Sequence, residues 1–74
     1  MLNAEKVIET INRTLNLSLD PVTTPQDEGF KSLGIDSLDF YNVLIELEAV
    51  TGRKVPDEDA EKLTTIRSLV DYFS

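Results

Sequence analysis

The chain has 74 residues, with 14 acidic and 7 basic side chains, a formal net charge of −7, and no Cys, His or Trp. A single domain with a small core is expected over residues 1–74, and disulfides, thiolate or histidine metal sites and an imidazole base are excluded. The charge disfavours nucleic-acid phosphates and anionic membranes and points instead to basic protein surfaces, through an attraction that salt screens.

Val7, Ile8, Ile11 and Leu15 recur at helical spacing. Asn3 precedes them as an N-cap candidate, with Glu5 in the first turn where the helix dipole favours an anion. A first helix is predicted over 4–16. Residues 18–36 are rich in Ser, Asp, Thr, Pro and Gly and read as a long loop, of a kind that is often functional. Val22, Phe30, Leu33 and Ile35 are expected to pin it to the core. A second helix follows over 37–51, capped by Asp36 or Ser37 and stopped by Gly52. Pro56 opens a short acidic helical segment over 57–62, and Thr64 or Thr65 caps a last helix carrying Ile66, Leu69, Val70 and Phe73. No alternating β-branched run suggests a strand, so the fold class is an all-α bundle of three main helices plus one short helix. No apolar run approaches the roughly eighteen residues of a membrane span. The N-terminus carries no secretory pattern, so a cytoplasmic monomer is expected.

On a wheel of about 100° per residue, the second helix has two apolar faces. Phe40, Val43, Leu44, Leu47 and Val50 form a core stripe, while Leu38, Tyr41, Ile45 and Ala49 gather on nearly the opposite side. The second stripe either packs beneath the long loop, Tyr41 first among its members, or faces solvent as a protein-binding strip rimmed by Asp36, Asp39, Glu46 and Glu48. Ser37 sits where a Gly-containing loop becomes a helix. Unpaired backbone N–H groups and the positive end of the dipole there suit a covalently attached phosphate, though a serine at this position is more often an ordinary cap.

The run Phe30-Lys31-Ser32-Leu33-Gly34-Ile35-Asp36-Ser37-Leu38-Asp39 resembles the F-x-x-L-G-x-D-S-L segment of acyl carrier proteins. The likeness continues through Leu44, Glu46-Leu47-Glu48, Val55-Pro56-Asp57-Glu58, Ala60-Glu61-Lys62 and Thr64-Thr65-Ile66, and the order of helices with a long first loop is also the family's. The resemblance implies a free-standing carrier domain that catalyses nothing itself. A phosphopantetheinyl transferase would place 4′-phosphopantetheine on Ser37, and acyl groups would ride on its thiol as thioesters to acyl-transferring and chain-elongating enzymes with basic docking surfaces. By position it assigns partner contacts to Asp36, Leu38, Asp39, Ile45, Glu48, Val55 and Asp57, and the second stripe of the helix adds Tyr41 to the expected partner-binding residues. It further implies that Val7, Ile11, Phe40, Leu44, Leu47, Ile66, Leu69 and Phe73 line the space an acyl chain can enter.

Some positions depart from the family pattern. Asn42 and Ala49 stand where fatty-acid carriers usually have acidic residues, Phe40 and Tyr41 are aromatic where small or aliphatic residues are common, and Thr51 replaces a bulky apolar residue. These changes point towards polyketide-type or special-lipid synthesis as alternatives to general fatty-acid synthesis. The competing function is an unmodified acidic helical module that binds a basic surface. The run Asp57-Glu58-Asp59 with Glu61 lacks the spacing of a calcium loop and reads as a solvated helix start, with no dedicated metal site. Lys31, Arg53 and Lys54 are too scattered for a nucleic-acid patch. Glu46 and Glu48 diverge on their helix and make no catalytic pair. Self-repulsion at this charge predicts that added salt or millimolar Mg²⁺ raises the melting temperature; a melting temperature indifferent to both would contradict it.

Overall fold

Local signals at both ends define the first helix. In a computed structural model describing residues 2–74, the Asn3 side chain accepts a hydrogen bond from the Lys6 amide at 2.9 Å and opens α1, Ala4–Leu15. The helix ends one residue before the expected boundary because Asn16 turns left-handed at φ 55°, a conformation asparagine tolerates better than most residues.

The long loop is tied down at both ends. The Asn12 side-chain amide donates to the Leu19 carbonyl and its oxygen accepts from the Leu19 amide, each at 2.9 Å. Further on, the Asp20 carboxylate accepts from the Val22 amide at 2.7 Å, and this tight turn throws Val22 outward, 89% exposed. The expected pinning by Val22 is therefore corrected, whereas Phe30 and Ile35 are buried and Leu33 is half-buried. Near its end the loop runs beside the last helix: the Arg67 amide donates to the Gln26 carbonyl and the Phe30 amide to the Thr64 carbonyl, both at 3.0 Å. Arg67 also forms a two-pronged pair with Asp27. Both side chains are exposed, and such a pair is worth roughly 0–1 kcal/mol, against roughly 1.5–3 kcal/mol for burying one large apolar side chain. Phe30 and Ile35 thus hold the loop, and the ion pair only trims it.

A 3₁₀ turn, Phe30–Leu33, leads into α2, Ser37–Thr51, which Gly52 terminates at φ 72°. Val43, Leu44 and Leu47 are buried and Phe40 is half-buried. Val50 departs from the expected core stripe and is 58% exposed. It lies roughly 60° around the helix from Leu47, and Thr51 takes the inward position in the last turn, its hydroxyl donating to the Leu47 carbonyl at 2.7 Å. Then comes α3, Asp57–Ala60, a single turn that ends earlier than the expected 57–62 segment. It is fixed from both sides. The Val55 amide just before it donates to the Glu48 carboxylate at 2.6 Å, and the Tyr72 phenol donates to Asp59 at 2.9 Å. The last helix, α4, Ile66–Phe73, is capped by Thr65 in a reciprocal pair with Ser68, at 3.0 Å in each direction.

Packing follows the apolar stripes. Helix α1 lies against both α2 and α4, and Val7, Ile8, Ile11, Leu47, Ile66 and Leu69 are wholly buried where the three meet. The result is an all-α bundle of three main helices and one short helix; no strand occurs among the described residues, and the long loop lies between α1 and α2.

The hydrogen bond to Asp59, then partial burial and the Asp59 charge, raise the Tyr72 phenol above its ordinary value of 10.0, while Arg53 opposes them. The folded state therefore keeps this proton after the unfolded chain has lost it. The stabilisation is complete below about pH 10 and is lost as pH rises through the higher folded value. Urea unfolding should show the stability gap between wild type and Tyr72→Phe narrowing above about pH 10; a gap unchanged through that range would contradict the assignment.

Candidate functional site

The start of α2 is set by its neighbours on both sides. Gly34, at φ 81°, closes the 3₁₀ turn, and the Ile35 amide donates to the Phe30 carbonyl at 2.9 Å. Ile35 is then driven into the core, 2% exposed. Asp36 emerges with extended backbone and its carboxylate accepts from the Asp39 amide at 2.8 Å. Of the two possible caps, Asp36 is the one used. Ser37 is the first helical residue, exposed, with its hydroxyl not required by the helix end. The first-turn amides and the positive end of a 15-residue helix dipole surround it.

A groove of about 390 Å³ opens beside this serine. Ser37 and Asp36 form its lip, Phe30, Ile35, Phe40 and Tyr41 one wall, and Ala60, Leu63 and Thr64 the other. The Phe30 and Phe40 rings lie 5.2 Å apart between centroids, and Tyr41 meets Phe40 edge-on at 6.0 Å. Of the residues implied to line an acyl space, only Phe40 borders this groove; Val7, Ile11, Leu44, Leu47, Ile66, Leu69 and Phe73 are buried in the core.

The second stripe of α2 faces solvent and does not lie beneath the loop. Leu38 is 72% and Ile45 59% exposed, and Tyr41 and Ala49 are exposed beside them. Asp36 and Asp57 are exposed and Asp39 is half-buried. Glu48, expected on the acidic rim, is half-buried and turned to the Val55 amide. Val55, expected at a partner contact, is buried. That amide bond and the extended backbone imposed before Pro56 turn its side chain inward under the end of α2. Lys31, Glu61 and Thr64 border the groove without any signal in their local sequence, because α3 and the segment after it meet the start of α2 only in the folded bundle. Among the described residues no three carboxylates come together to hold a metal ion.

The two roles at the helix start separate by mutation. Asp36→Ala should cost about 0.5–2 kcal/mol in urea unfolding, and Ser37→Ala no more than about 0.5 kcal/mol. Equal losses would mean that Ser37 is part of the cap.

A serine offered at a helix tip beside an apolar groove is suited to carrying a phosphate-linked group. The sequence matches a family profile described as a phosphopantetheine attachment site over residues 5–73, from the second residue of α1 to the last of α4. Members of this family carry 4′-phosphopantetheine covalently, serve a phosphopantetheinyl transferase and acyl-handling enzymes, and are in general not catalysts. No helix among the described residues is long and apolar enough to cross a membrane. With nearly its whole length matched, the chain belongs to the phosphopantetheine-binding carrier proteins of the acyl carrier family.

Proposed function

We propose that Ser37 is the attachment point of the phosphopantetheine arm, and that residues 1–74 work as one cytoplasmic, monomeric carrier domain delivering acyl intermediates to enzymes of fatty-acid, polyketide or special-lipid synthesis. The observation that carries this reading is the division of labour at α2: Asp36 caps, and the Ser37 hydroxyl stays free for chemistry. In the attachment step the Ser37 Oγ attacks the pantetheine-bearing phosphorus of coenzyme A. The bond from that phosphorus to the nucleotide breaks, 3′,5′-ADP leaves, and the hydroxyl proton passes to a base on the transferase. The chain has no Cys, so it does not supply the acyl-bearing thiol. The arm, once attached, supplies the thiol on which acyl groups are held as thioesters. The first-turn amides of α2 stabilise the phosphodiester anion.

Leu38, Tyr41 and Ile45 are the docking contacts in this reading, with Asp36, Asp39 and Asp57 orienting a basic partner. Asn42 and Ala49 are neutral, and Glu48 is engaged with Val55. Asp39, Glu46 and Glu48 keep acidic groups along the flanks of the strip, while Asn42 and Ala49 add none, so apolar contact takes a larger share of docking than in a carrier with acidic residues at those two positions. This favours a dedicated pathway over general fatty-acid synthesis.

Incubation of the purified chain with a phosphopantetheinyl transferase and coenzyme A should add the mass of one phosphopantetheine, and Ser37→Ala should add none. An unmodified wild type under conditions that load a control carrier, or a modified Ser37→Ala, would refute the proposal.

A further inference from the structure

The groove beside Ser37 stops short of the bundle centre. Phe30, Ile35, Ala60 and Leu63 are both its lining and members of the core. Behind them Val7, Ile8, Ile11, Leu47, Ile66 and Leu69 are wholly buried and border none of it. Helix α1 contributes no lining residue. On the α2 side the wall is Phe40, half-buried, its ring held against Phe30 at 5.2 Å. At about 390 Å³ the groove is near the lower end of the roughly 300–1,000 Å³ of small-molecule sites. Protein interiors are close-packed, so a chain entering at Ser37 goes deeper only if Phe40 leaves Phe30 and the α2 stripe separates from α1.

We propose that Phe40, braced on Phe30, is the size-determining residue for the cargo, so that this carrier shelters acyl groups only as far as the Phe30–Phe40 contact and leaves the remainder of longer chains in water. The proposal rests on Ser37 bearing the arm. The apolar walls meet an uncharged acyl group, and the exposed Tyr41 ring, edge-on to Phe40, extends the aromatic surface to the mouth. Removing the Phe40 ring gives its own volume to the groove, on the side towards Val43 and Leu44, the buried residues one turn further along the same face of α2.

The test uses the full chain, loaded at Ser37 by a transferase from acetyl-, hexanoyl- or dodecanoyl-coenzyme A. The rate at which hydroxylamine cleaves each thioester and the melting temperature of each loaded form are then measured. In the wild type, cleavage should slow and melting temperature rise from acetyl to hexanoyl, with no further change for dodecanoyl. In Phe40→Ala the trend should continue, with dodecanoyl cleaved several-fold more slowly than hexanoyl. Phe40→Leu keeps an apolar side chain, serves if the alanine variant fails to fold, and should shift the limit in the same direction. Continued protection of dodecanoyl in the wild type, or the same length profile in wild type and the folded variant, overturns the inference while leaving the carrier reading intact. A chain that the transferase cannot load refutes the carrier reading itself.

Discussion

Burial of Ile35 fixes where α2 begins. Its side chain is held in the core while Gly34 turns the backbone behind it and Asp36 caps the helix ahead of it. Between these constraints the chain has one way to proceed, and Ser37 arrives at the helix tip with its hydroxyl outward. A serine in a free loop would present the same oxygen without a fixed position against the α2 amides or against the groove. The packing of Ile35 is worth more than any charge contact on this surface, because transfer of a large aliphatic side chain exceeds the value of an exposed ion pair.

The same helix has to serve two masters, a core on one side and other proteins on the other. Val43, Leu44 and Leu47 bind α2 to the bundle, and Leu38, Tyr41 and Ile45 on the far side are left in water. An apolar strip of this kind is a standing cost to a small acidic protein unless something covers it. In a carrier the cover is transient, since each partner enzyme must release the domain for the next. A face of modest size, with acidic groups at its margins and an apolar centre, suits fast and reversible docking.

Much of this was legible in the sequence where a local rule sets the outcome. Asn3, Asp36 and Thr65 each cap a helix through a side chain reaching three residues along, and Gly52 ends α2 through a positive φ; such signals lie within a few residues of one another. The positions that were not legible depend on which way a side chain is turned, by a local bond or by a contact further off. Val22 is thrown outward by the Asp20 turn, Val50 yields its inward place to Thr51, and Val55 and Glu48 are drawn together across the end of α2. Periodicity alone cannot distinguish an apolar residue at the edge of a stripe from one at its centre. The groove is the clearest case. Its walls come from residues around 29–41 and 60–64, joined only when the Phe30 amide reaches Thr64 and the Tyr72 phenol reaches Asp59.

In the proposed carrier one oxygen, the Ser37 Oγ, bears the arm. Other serines compete for that role, among them Ser32 in the 3₁₀ turn and Ser68 in the α4 cap. Peptide sequencing by tandem mass spectrometry, on chain recovered from cells that co-express a transferase, discriminates between them directly. A phosphopantetheine is expected on the fragment ions that contain Ser37 and on no others. Its presence on another serine, or a bare Ser37 in otherwise modified protein, would rule Ser37 out as the attachment point.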